Sequence, residues 1–250
     1  MSSATVTDPS KRKISPFAIA IAVVIAISLA VFGTIAYNAT RDNTNGENLS
    51  GWNFANGENI ENISVSYNKD NEYGPSIDFS IEGKKKDDPH NLDIYEDPQC
   101  PACRQLQESF HGEISQAIKN GDVLRIHPMT FLDTKIQGST LSHELVTALI
   151  VLAQNNEADA AWKIYENMWF NESSQGKKTS VENVMKDAGA SDDAVQAYKD
   201  QTNGYGLAAD SNASNADFLE EKIGSVGTPT VMVDGENYEV PNDWLEVLGL

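Results

Sequence analysis

"LDIYEDPQCPACRQLQESF", residues 92–110, decides how this chain is read. "LDIYE" (92–96) is apolar and β-prone, the mark of a strand. A short polar loop follows, then Cys100, Pro101, Ala102 and Cys103. From Cys103 the apolar residues Leu106, Phe110, Ile114, Ala117 and Ile118 recur at three- and four-residue steps, which predicts an amphipathic helix. Pro101 suits its first turn, where a missing N–H is not needed. Asn120 and Gly121 are expected to end it. These two cysteines are the only ones in 250 residues.

Three uses of the pair compete. A structural disulfide is common in exported proteins, but a bridge closing so short a loop constrains little of the unfolded chain. A zinc site needs two more ligands, and His90, His111, His127 and His143 contain no H-x3–5-H pair. No metal is therefore expected. The third use is redox exchange. A strand that delivers Cys100 to a helix N-terminus places its sulfur against unpaired N–H groups and a partial positive charge. Such a setting lowers a CxxC thiol to about 3.5–7.5, against about 8.5 for a free cysteine. Cys100 is then expected to be the exposed nucleophile. Cys103, one turn along and further inside, is the resolving thiol.

Outward from this centre, composition is that of a globular protein, with 40 % hydrophobic and 22 % charged residues. The formal net charge is −19, which argues against nucleic acid as a partner. Charge is unevenly placed. Residues 1–41 hold Lys11, Arg12, Lys13 and Arg41 against Asp8 alone, leaving 14 basic and 36 acidic residues, a net of −22, over 42–250. No charged residue occurs between Lys13 and Arg41, a run of 27 residues, whereas a spanning helix needs about 20. The expectation is a cytoplasmic basic tail at 1–13 and an uncleaved transmembrane anchor at 14–37, with everything beyond it extracytoplasmic. Residues 38–62, rich in Asn, Gly, Ser and Thr, are expected to be a polar tether. The N-x-S/T sequons at Asn38, Asn48, Asn62, Asn171 and Asn212 are taken as Asn-rich polar surface.

From residue 63 the pattern becomes structural. Strands are expected at 63–67, 76–81, 92–96, 123–131, 228–235 and 238–240, and helices at 141–154, 158–170, 180–190, 191–200, 210–224 and 242–250. Ser180 and Ser191 are the expected N-caps of two of them. A helical block at about 137–222 thus interrupts an α/β unit.

"LDIYEDPQCPACRQLQESF" resembles the active-site segment of the DsbA-like oxidoreductases, and "GSVGTPTVMVDG" (224–235) resembles the cis-proline loop of the same family. The resemblance covers roughly residues 76–250. It implies an α/β thioredoxin-like fold at 63–250, a central mixed sheet flanked by helices with an inserted helical domain. It implies that Pro229 is the cis-proline, and that Thr228 before it lies against the CxxC and tunes the thiol. One departure stands out. Many thioredoxin-like proteins carry a buried carboxylate six residues before the first cysteine, where this chain has Ile94. Glu96 is the nearby candidate for relaying a proton to Cys103. The competing view makes Glu96 and Asp97 ordinary polar strand-end residues. His111 and His143 are expected to be packing or surface residues.

The functional expectation is a membrane-tethered thiol–disulfide oxidase, monomeric and without a cofactor, acting on unfolded exported proteins. A quinone-linked membrane protein, implied by the resemblance, would reoxidise it. A reductase or isomerase, or a binding module with an inert bridge, are the alternatives.

Overall fold

Strand β3 (Asn91–Glu96) lies inside a six-stranded sheet and is buried from Leu92 to Glu96. Central strands covered on both faces need no polar alternation, and this one shows little. The computed structural model describes residues 49–250 apart from 56, 85, 137–138, 172–179, 203 and 239–243. The basic tail, the anchor at 14–37 and the tether up to residue 48 lie outside the described residues. Among the described residues no helix is long and apolar enough to cross a membrane.

The other strands are β1 (Ile63–Asn68), β2 (Ser76–Ile81), β4 (Val123–Pro128), β5 (Thr230–Val233) and β6 (Glu236–Tyr238), in the order β1-β2-β4-β3-β5-β6. Only β3 and β4 run parallel, because helix α1 (Pro101–Asn120) makes the crossover between them. The sheet is therefore mixed, as expected. The helices α2 (Leu132–Lys135), α3 (Leu141–Gln154), α4 (Ala158–Met168), α5 (Val181–Ala188), α6 (Asp192–Gln201) and α7 (Gly206–Ile223) intervene before β5, and α8 (Trp244–Leu248) ends the chain.

The two-residue period of the strands feeds two cores. Leu92, Ile94, Val231 and Val233 join Cys103, Leu106 and the helical block in the larger cluster. Tyr95 and Met232 point the other way and pack with Met129 and Leu219, the last from α7. Gly121 ends α1 at φ 102°, the left-handed conformation that glycine adopts without a Cβ penalty.

Several boundaries depart from the sequence expectations. β4 stops at Pro128 instead of Phe131, since proline has no N–H to continue the ladder. The chain then turns into α2, so the helical block begins at Leu132. Helix α7 starts at Gly206, four residues early, and buries Ala208. β6 sits two residues early, because Asp234 and Gly235 (φ 51° and 81°) form a two-residue hairpin turn that pairs Val233 with Glu236. Ser191 caps α6 through Ala194 N at 3.2 Å, but the Ser180 side chain makes no cap bond.

The tether expected at 38–62 is corrected over its described part. Trp52 and Ile60 are buried in the main core. Asn53 and Asn171 exchange bonds of 2.6 and 3.0 Å, and Trp162 donates Nε1–H to the Glu58 carbonyl at 2.9 Å. Residues 49–62 are a strap on the helical block. Two apolar anchors spaced eight apart do not show against a polar composition.

Candidate active site

Cys100 is the N-cap of α1, in extended conformation, with Pro101 in the first helical turn. Its amide donates to Asp97 O at 2.8 Å and its carbonyl accepts from Arg104 N at 3.0 Å. Both cysteines are free thiols here. Cys100 is 9 % exposed and Cys103 fully buried. Cys100 is thus the more accessible sulfur, but the expectation of an exposed nucleophile is corrected: only an edge of it reaches solvent. The cis-proline loop covers it. The Thr228–Pro229 bond is cis, and the Cys100 thiol donates to the Thr228 carbonyl at 3.4 Å.

The two sulfurs differ in proton affinity. The Cys103 S–H donates to Cys100, and this bond, with the Thr228 hydroxyl and the N–H groups of Cys103 and Ala102, outweighs partial burial and holds the Cys100 thiol down to about 5. The buried Thr228 hydroxyl makes no hydrogen bond and is free to turn toward the Cys100 sulfur. Burial, the donation to Cys100 and the nearby Glu96 carboxylate all push the Cys103 thiol upward. Such a pair presents a thiolate at Cys100 near neutral pH and keeps Cys103 protonated.

Glu96 is not a solvent-facing strand end. It is 1 % exposed, on the same face of β3 as Leu92 and Ile94. Gln107 Nε2 donates to Glu96 Oε1 at 2.7 Å and the Tyr165 hydroxyl donates to Oε2 at 3.0 Å. Burial lifts its carboxyl to about 8 despite those two bonds. Gln107 and Tyr165 were not singled out from the sequence. The available signal was Gln107 itself, a polar residue four after Cys103 on the buried stripe of α1. Asp97 is also fully buried. His111 packs edge-on against Phe170, and His143 pairs with Asp133.

Two cavities flank Cys100. One of about 640 Å³ runs beside the cis-proline loop, between Ala102 and Leu106 of α1 and Pro229, Thr230 and Tyr238. Another of about 300 Å³ lies toward the helical block and includes Cys100, Ile136, Leu141, Leu145 and Trp169 in its walls.

The thioredoxin family pattern matches residues 83–250, from the turn before β3 to the last residue. The chain belongs to the thioredoxin family. Within it, the inserted helical block and the similarity below make it a DsbA-like protein. It is similar to the MdbA thiol-disulfide oxidoreductase of Corynebacterium diphtheriae, at 26 % identity and a TM-score of 0.63 over 77 % of this chain and 95 % of that one. The MdbA protein of Corynebacterium matruchotii shares the fold at a TM-score of 0.65 and 23 % identity, over 76 % of this chain and 92 % of that one. A curated relative, the serine/threonine-protein kinase PknE of Mycobacterium tuberculosis, is 27 % identical over 169 residues. The match takes in 63 % of this chain and only 29 % of the kinase.

Proposed function

We propose that this protein introduces disulfide bonds into exported proteins, with Cys100 as nucleophile and Cys103 as resolving thiol. The observation that carries the proposal is the position of Cys100 at the α1 N-terminus, beneath the Thr228–Pro229 bond and one helical turn before Cys103. In the oxidised enzyme a substrate thiolate attacks Cys100 Sγ. The Cys100–Cys103 bond breaks and Cys103 leaves, taking a proton from the Glu96 side. A second substrate thiolate then attacks the mixed disulfide at the substrate sulfur. The substrate gains a disulfide, Cys100 departs as a thiolate, and the enzyme holds the two electrons. Every interaction that steadies the Cys100 thiolate stabilises the reduced form and makes the disulfide more oxidising.

The substrates in this proposal are unfolded chains with free thiols, received along the groove beside Pro229. A quinone-linked membrane protein removes the electrons. The enzyme works as a monomer without a cofactor, tethered outside the cytoplasm by residues 14–37. Equilibration of the full-length protein with glutathione tests the direction. A potential near the DsbA end of the scale, about −120 mV, is expected. A potential near that of thioredoxin, about −270 mV, would make it a reductase or isomerase instead. An inert bridge would show no dithiol turnover at all.

A further inference from the structure

We propose that Gln99 is a positioning residue for Cys100, acting through a latch that ties the active-site loop to the helical block at Asp133, Ser139 and Ser142. The proposal rests on Cys100 being the sulfur that exchanges with substrate.

Gln99 immediately precedes Cys100, in a loop that belongs to neither β3 nor α1. Its side-chain amide is used at both ends. Nε2 donates to Asp133 Oδ1 at 2.5 Å and to Ser142 Oγ at 2.9 Å, while Oε1 accepts from Ser139 Oγ at 2.9 Å. Asp133 is itself held. Its Oδ2 accepts from the His143 amide at 2.8 Å and bonds His143 Nδ1 at 2.6 Å, and its Oδ1 accepts from Ser139 Oγ and the Ser142 amide. Thr140, the N-cap of α3, makes no side-chain cap bond. Asp133 therefore caps α3 from outside it, satisfying two of the amides that a helix start leaves open.

A second arm reinforces the first. Ser142 Oγ donates to Asp97 Oδ1 at 2.6 Å, and the same carboxylate accepts from Gln99 N at 3.0 Å and Leu132 N at 2.9 Å. The stretch from Asp97 to Gln99 is thus bolted to the first turn of α3 and to the start of α2. Its last residue hands the chain to Cys100. The thiolate depends on alignment with the N–H groups of Ala102 and Cys103 and with the Thr228 hydroxyl, and such alignment is lost over fractions of an ångström. A loop free to shift against the helical block loses that alignment while the thioredoxin core stays folded. The latch also holds Leu141 of α3 where it walls the cavity beside Cys100.

The test alkylates reduced full-length protein with iodoacetamide at pH 5 and maps the label to Cys100, with urea midpoints measured in parallel. Gln99→Met keeps the length of the side chain and removes its three bonds. A rise of about one unit from a thiol near 5 lowers the thiolate fraction at pH 5 about fivefold, so labelling about fivefold slower is expected. Ser139→Ala, which removes the Oε1 bond together with the Ser139 bonds to Asp133 and the Leu141 amide, is expected to slow labelling about twofold. Labelling unchanged in Gln99→Met, with only the urea midpoint lowered, would overturn the latch and leave Gln99 a purely structural residue. If Gln99→Met does not fold, Ser139→Ala decides by the same criterion. A wild-type Cys100 that labels no faster at pH 5 than a free thiol would overturn the proposed function itself.

Discussion

The Cys100 sulfur lies 3.4 Å from the carbonyl oxygen of Thr228, 128 residues away in sequence and the first residue of a cis Thr228–Pro229 bond. The contact joins the start of α1 to the loop before β5, two elements brought side by side by the β3–β5 pairing. The carbonyl accepts the proton of the thiol, and the Thr228 hydroxyl serves the thiolate.

Removing that hydroxyl is the most direct probe of the loop. Thr228→Val conserves shape and removes the buried hydroxyl that is free to donate to the Cys100 thiolate, a bond worth about 1.5–3 kcal/mol at most sites. The Cys100 pKa should rise by about one unit or more. Absorbance of the thiolate near 240 nm across pH 3–9 measures it. No rise would remove Thr228 from the tuning of the thiol.

Redox state and pH should be coupled in stability. The folded thiol pKa of Cys100 is lowered to about 5, against about 8.5 unfolded. A depressed acid contributes stability that is complete above the unfolded value and lost as pH falls through the folded one. The Tm advantage of the reduced over the oxidised protein should therefore be larger at pH 7.5 than at pH 5. Calorimetry of both forms at the two pH values checks it, and a gap that widens toward pH 5 contradicts it.

Glu96→Gln separates proton transfer from structure. The variant keeps a hydrogen-bonding side chain beside Gln107 and Tyr165 but cannot exchange a proton. Resolution of a mixed disulfide at Cys100 should slow at least about tenfold, at the low end of general acid–base effects. The stability sign is opposite to that of Cys100. A carboxyl raised to about 8 by burial costs the folded state stability as pH climbs from about 4.3, its unfolded value, to about 8. Glu96→Gln should thus gain stability relative to wild type at pH 8 over pH 5. Stopped-flow resolution rates and urea midpoints test the two claims separately.

Trp52→Ala tests the strap. Truncating a buried tryptophan costs about 3–5 kcal/mol, and Trp52 is 3 % exposed in the main core. A polar tether would lose nothing. The urea midpoint of the full-length variant distinguishes the two outcomes.

The strand, the CxxC and the helix after it were legible because each obeys a local rule. Alternation, a Pro in the first turn and a three-to-four spacing need no distant partner. The order of the elements also showed, since the run of amphipathic segments between Cys103 and Thr228 could only be a helical insertion. Other features carried no local mark. Trp52 and Ile60 are isolated in polar sequence, and only packing on the helical block makes them core. Glu96 and Asp97 are charged residues at a strand end, a pattern that usually faces water. They are buried because Gln107, Tyr165 and Ser142 arrive from 11, 69 and 45 residues away to bond them.

What the sequence by itself determined is the chemistry available: two thiols one helical turn apart, delivered by a strand to a helix start. What only the tertiary structure decided is how the thiols differ. The proton affinity of each sulfur depends on burial and on donors within about 3.5 Å. Those donors and that burial come from Thr228, Glu96 and the helical block, groups that meet Cys100 and Cys103 only once the chain has folded.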